Sequence, residues 1–167
     1  RASGQPFRHA HIELAGAAAV ARLNAMGVPV IVVTNQSGIG RGRFTWADFH
    51  AVMDRMHAFL AQEGARVDGV YTAPHHEKGQ GAYAVADHPD RKPNPGMLTR
   101  AAAEHGLDLS RSWMIGDKAI DLEAGRRAGC QVALVRTGYG SKVDGALADL
   151  VADDLPAALT SILAQWP

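Results

Sequence analysis

Apolar positions along the chain follow two rhythms in turn. Over residues 16–26, alanines with Val20, Leu23 and Met26 recur at helical spacing, and Gly27 is a natural left-handed stop, which predicts a helix. Residues 28–33 predict the first strand, in which Val30-Ile31-Val32-Val33 is an uninterrupted run of apolar β-formers, the mark of a buried parallel strand. That run enters a polar, glycine-rich turn, Thr34-Asn35-Gln36-Ser37-Gly38-Ile39-Gly40-Arg41-Gly42. Thr45 with Asp48 three residues on forms a capping signal. Phe49, Val52, Met53, Met56, Phe59 and Leu60 then predict a long amphipathic helix ending at Gly64.

Residues 68–73 read as a second strand, followed by a His-rich excursion. Asn94-Pro95 offers an N-cap and a first-turn proline for a helix running to about His105 and stopped by Gly106. A third strand over 112–115 ends in Gly116-Asp117, and a helix over 119–128 is closed by Gly129. Residues 131–135 and 150–152 give a fourth and a short fifth strand before a helix over 154–165 with Pro156 in its first turn. Residues 1–13 have no periodicity and are expected to form a loop or cap element.

Strands alternating with helices predict an α/β fold, a doubly wound parallel sheet with helices on both faces. A chain of 167 residues, 47% hydrophobic, suffices for one domain with a sizeable core, and no segment has the length of a large inserted cap. Lys plus Arg equals Asp plus Glu at 17 each, so net charge gives no support for a nucleic-acid partner. The single cysteine, Cys130, excludes an internal disulfide and reads as a small buried hydrophobe. No apolar run approaches the roughly 20 residues needed to span a membrane. A cytoplasmic monomer acting on a small molecule is the resulting expectation.

Candidate chemistry collects at strand ends, where ligands bind in open α/β sheets. Thr34 and Asn35 follow the first strand, Arg91-Lys92 precedes a helix, and Gly116-Asp117-Lys118 follows the third strand. A hydroxyl, an amide, a cation and a carboxylate suit a phosphate held with a divalent metal. Lys92 would neutralise a transferring phosphoryl group. Asp117 would hold magnesium, with Asp121 one helical turn further as an outer partner or second ligand. Each residue also has a plain structural alternative: strand-end satisfaction for Thr34 and Asn35, a solvated surface lysine for Lys92, a helix cap for Asp117, and a favourable first-turn charge for Asp121. Tyr83 with residues 79–82 reads as a flexible loop, or else as a rim touching the distal part of a substrate.

The segments TNQSGIGRG from Thr34, RKPNPGML from Arg91 and GDKAIDLEAG from Gly116 resemble the second, third and fourth motifs of the haloacid-dehalogenase-like phosphatases. More narrowly, they resemble the branch containing heptose bisphosphate phosphatase and the histidinol-phosphate phosphatase domain. The likeness runs from about Ile12 to the last helix. It implies that Thr34 and the next residues, Asn35, Gln36 and Ser37, bind the phosphoryl oxygens. It also implies that Lys92 stabilises the transition state, that Asp117 coordinates Mg2+, and that Arg91 and Lys118 recognise substrate. The implied reaction is magnesium-dependent hydrolysis of a sugar phosphate, a heptose 1,7-bisphosphate first among them, through an aspartyl-phosphate.

Two departures qualify this resemblance. The family's first motif, DxDG, supplies the attacking and proton-transferring carboxylates from a central strand, and it does not occur in these 167 residues. Residues 1–167 are thus expected to be a single phosphatase domain without that strand, or else a non-catalytic relative that binds a phosphorylated ligand or a partner. Secondly, many relatives carry a four-ligand zinc site where this chain has Ala73, His75, His88 and Asp90. A metal-free loop is the first expectation there, and a remodelled Zn2+ site using His75, His88 and Asp90 the second.

Overall fold

The computed structural model describes residues 14–166, so the expected loop or cap over residues 1–13 lies outside the described residues. The chain divides into two compact units, Arg1–His88 and Pro89–Pro167.

In the first unit, α1 (Leu14–Ala25) buries Ala17, Val20 and Leu23, three residues apart on one face, and Gly27 at φ 73° turns the chain out of it. β1 (Ile31–Asn35) starts three residues after the strand expected over 28–33. Val28 N–H still donates to Leu23 C=O on leaving the helix, and Val30 N–H donates to Asp68 Oδ2 at 2.8 Å. These bonds take the first apolar residues out of the strand. A one-turn helix, α2 (Ser37–Gly40), follows, and then α3 (Trp46–Gln62). Thr45 caps α3 reciprocally: Asp48 N–H donates to Thr45 Oγ1 and Thr45 N–H to Asp48 Oδ2. The helix buries Phe49, Met56 and Leu60. β2 (Gly69–Ala73) pairs with β1 in parallel, Ile31 opposite Gly69 and Asn35 opposite Ala73. Among the described residues β2 is the strand partner of β1, and β1 is half-buried throughout rather than fully buried as its composition suggested.

In the second unit, α4 (Gly96–His105) precedes β3 (Trp113–Gly116), α5 (Ala119–Ala128), β4 (Gln131–Val135), β5 (Leu150–Ala152) and α6 (Leu155–Ala164). The strand order is β3-β4-β5, all parallel. The central strand β4 is buried from Val132 to Val135, which is why it reads as an unbroken apolar run. α5 packs on β3 and β4, and the missing side chain of Gly125 permits that approach, since a Cβ there would meet Val132 Cγ1 at 2.7 Å. α6 packs on β4 and β5 and buries Ala158, Leu159 and Ile162. The start of α4 differs from expectation: Pro95 holds the cap position, while Asn94 Oδ1 accepts from Arg127 Nη1 at 2.9 Å. The amide assigned to capping is used instead as a tie to α5.

Cys130 is buried, and desolvation pushes its thiol above the ordinary range, as a small core hydrophobe requires. Among the described residues every strand pairing is parallel and strands alternate with helices, so the fold is α/β as expected, with the described strands in two sheets. No described helix is long and apolar enough to cross a membrane.

Candidate active site

At the end of β1, Gln36 N–H donates to Ala73 C=O at 2.8 Å, carrying the parallel ladder one residue past the strand. The Gln36 side chain folds back, its Nε2 donating to Thr34 Oγ1 at 2.8 Å. The threonine oxygen is thereby an acceptor from the amide, which leaves its own proton to be donated elsewhere. Ser37 Oγ accepts from Arg41 Nη2 at 2.9 Å, and Ser37 C=O from Arg41 Nε at 3.2 Å. The glycine-rich segment is thus a wound helical turn, not an open loop. Gly38, Ile39 and Gly40 are buried within it. Gly38 is required because a Cβ would enter the Phe44 ring.

The excursion after β2 is tied to this turn. Gln80 N–H donates to Gly40 C=O at 2.8 Å, and Trp46 Nε1 donates to Tyr83 Oη at 3.0 Å. Residues 79–83, expected to be a flexible loop, are held against the turn that carries Thr34.

In the second unit, Lys92 Nζ lies 2.8 Å from Asp121 Oδ1, with the two side chains 10% and 8% exposed. A solvated surface lysine does not describe Lys92. Asp121 Oδ2 accepts from Lys118 N–H at 3.1 Å, so the carboxylate both caps the first turn of α5 and holds the lysine. Gly116 makes room for it, since a Cβ there would collide with the Asp121 side chain. Asp117 does not cap α5, whose cap residue is Lys118. Its Oδ2 accepts from Tyr139 N–H at 2.9 Å, while Lys118 Nζ sits 4.5 Å from the Tyr139 ring centroid. Arg91 is half-buried, its carbonyl accepting from Asn94 N–H. The first unit therefore joins Thr34 to Gln36, and the second joins Lys92, Lys118 and Asp121 through one carboxylate, with Asp117 adjacent in sequence.

Among the described residues no three His, Cys, Asp or Glu side chains cluster as a metal cage. Magnesium does not need one: it binds through one or two carboxylates, completing its shell with phosphate oxygens and water. Asp117, with one oxygen bonded to a backbone N–H, fits that donor set. The His-rich loop is different. The rings of His75 and His88 stack at 3.4 Å between centroids with planes 4° apart. An imidazole binds metal close to its ring plane, and two parallel planes so spaced share no such point. Asp90, in the second unit, accepts from Arg100 Nη1 at 2.6 Å.

Sequence reasoning missed two groups: the Gln36 amide as a donor to Thr34, and the Tyr139 N–H as a donor to Asp117. A signal for the second was present, because Thr137-Gly138-Tyr139-Gly140 is another glycine-bearing turn directly after a buried strand.

A family profile described as HAD-hydrolase-like matches residues 89–158. A heptose-1,7-bisphosphate 7-phosphatase from Thermosynechococcus vestitus is 42% identical over 154 residues, covering 86% of this chain and 78% of its own length. The chain belongs to the haloacid-dehalogenase-like hydrolases, in their heptose bisphosphate phosphatase branch. Another relative in this branch, the D-glycero-beta-D-manno-heptose-1,7-bisphosphate 7-phosphatase of Mesorhizobium japonicum, is 53% identical over 111 residues. That match takes in 66% of this chain and 51% of the relative, so the chain spans about half the length of that curated haloacid-dehalogenase-like protein. Among solved structures, the D,D-heptose 1,7-bisphosphate phosphatase of B. bronchiseptica, complexed with magnesium and phosphate, superposes with a TM-score of 0.77 at 37% identity. It covers 89% of this chain and 82% of its own. A had-like phosphatase structure from Mesorhizobium loti gives 0.78 at 43% identity, over 92% and 73%.

Proposed function

We propose that the chain serves a magnesium-dependent phosphatase that hydrolyses a phosphomonoester of a small metabolite, D-glycero-D-manno-heptose 1,7-bisphosphate. The observation that carries this reading is the buried Lys92–Asp121 pair, whose carboxylate also accepts from the backbone N–H of Lys118, the residue that follows the metal-type carboxylate Asp117 in the chain. Magnesium held by Asp117 would supply Lewis-acid stabilisation of phosphoryl oxygens. Lys92, oriented by Asp121, contributes a fixed positive charge for the charge that develops on the transferring group. Thr34 donates its hydroxyl proton to a phosphoryl oxygen, with Asn35 and Ser37 as neighbouring donors. Arg91 and Lys118 provide cations for the rest of the substrate. Names and complexes of relatives in the same branch support the heptose substrate and the metal.

The DxDG carboxylates are not among these 167 residues, so no nucleophilic or proton-transfer step is assigned to a residue of this sequence. Thr34, Arg91, Lys92 and Asp117 would also serve a second reading, a relative that binds a phosphorylated ligand without turning it over. Phosphate release from a panel of sugar mono- and bisphosphates, with Mg2+ and with a chelator, separates the two. Metal-dependent release supports the enzyme; binding of a bisphosphate without release supports the binder.

A further inference from the structure

Tyr139 lies 22 residues beyond Asp117, yet its N–H reaches Asp117 Oδ2 at 2.9 Å. The turn that presents this N–H is tightly specified. Gly138 has φ 61°, in the left-handed region, and a Cβ on it would fall well inside contact distance of Asp117 Oδ2. Gly140 is buried, and a Cβ there would strike Val135 C=O. Arg136 Nη1 secures the same segment from the strand side, donating to Gly140 C=O at 2.9 Å and Val143 C=O at 2.8 Å. A carboxylate has two oxygens, and here one is spoken for by a rigid backbone donor. Fixing that one oxygen fixes the plane of the whole carboxylate.

We propose that the Gly138–Tyr139 turn is a positioning element for Asp117: its N–H holds Oδ2 and so orients the carboxylate that would hold the divalent cation. This inference rests on the magnesium reading above and adds to it a group outside the motifs. Metal ligands are commonly oriented by such outer partners, whose loss weakens metal affinity. The Tyr139 ring has a separate part, lying under the Lys118 ammonium, so backbone and side chain can be tested apart.

The test is binding of Mn2+ to the full chain, followed by electron paramagnetic resonance with Mg2+ as competitor, beside thermal unfolding of each variant. Gly138→Ala is expected to weaken metal binding by about 10- to 100-fold, the range for lost outer-shell partners, and, strained at φ 61°, to lower the unfolding temperature while keeping a cooperative transition. Tyr139→Pro deletes the N–H at a residue whose φ of −87° is near that of proline, and is expected to weaken metal binding likewise. Tyr139→Ala keeps the N–H and is expected to keep the affinity. Wild-type affinity in both Gly138→Ala and Tyr139→Pro overturns the proposal, as does equal weakening by Tyr139→Ala and Tyr139→Pro. A wild-type chain that binds neither ion overturns the magnesium reading and this inference with it, an outcome distinct from the other two.

Discussion

Lys92 and Asp121 meet at 2.8 Å with both side chains nearly closed off from solvent, so each is the other's counter-charge in a place where water cannot substitute. Asp121→Ala should remove the carboxylate counter-charge from a buried ammonium and cost about 3–5 kcal/mol of stability. Lys92→Ala should take the ammonium from the carboxylate in the same way, so loss of turnover in that variant has to be read beside a urea denaturation curve. Replacing both, Lys92→Met with Asp121→Leu, should restore much of the stability and none of the turnover. Recovery of turnover in the double variant would remove Lys92 from the chemistry.

Gln36 is expected to act through Thr34 rather than on substrate. In a double-mutant cycle, Gln36→Ala and Thr34→Val should each lower kcat/KM, and the pair should do little more than Thr34→Val alone. The coupling energy should fall in the range of about 0.5–3 kcal/mol that contacting residues show. Strict additivity would instead make Gln36 an independent substrate ligand.

The Asp149 carboxyl titrates below its ordinary range, chiefly because the backbone N–H of Val132 donates to it, with Arg126 adding charge. A depressed folded-state pKa means that this stabilisation is present above the unfolded pKa of about 3.9 and is lost as pH falls through the lower folded value. Asp149→Ala leaves the buried Val132 N–H without this acceptor and should cost about 1–3 kcal/mol at pH 7. In urea titrations the gap between wild type and variant should close as pH is lowered past that region. A gap of constant size would show that the carboxylate's charge is not what matters.

Gly40 carries the contact between the turn after β1 and the loop after β2. A Cβ there would press on Pro74 C=O and come within 2.9 Å of Tyr83 Cβ. Gly40→Ala should cost about 1–3 kcal/mol, as overpacking does. It should also raise hydrogen exchange at Gln80 and Tyr83, and unchanged protection there would mean that the loop is held by other contacts.

Much of the fold was legible because its signals are local. Thr45 with Asp48 gave the start of α3, Gly129 at φ 85° the end of α5, and the apolar run 132–135 the central strand. What was misread depends on partners far along the chain. Asn94 looks like a cap until Arg127 claims its amide, and Val30 looks like a strand residue until Asp68 takes its N–H. The site shows the same division. Thr34, Lys92 and Asp117 stand out by motif, whereas the groups that orient them, Gln36, Asp121 and the Tyr139 N–H, gain their roles through side-chain geometry or distant contacts.

The most direct measurement is 31P NMR of D-glycero-D-manno-heptose 1,7-bisphosphate incubated with Mg2+ and the complete protein that contains this chain. A phosphatase of this branch should convert one phosphomonoester resonance to inorganic phosphate, leave the other in place, and stop when the metal is chelated. Two persistent monoester resonances, with the sugar nonetheless bound, would contradict hydrolysis and leave a phosphosugar-binding protein.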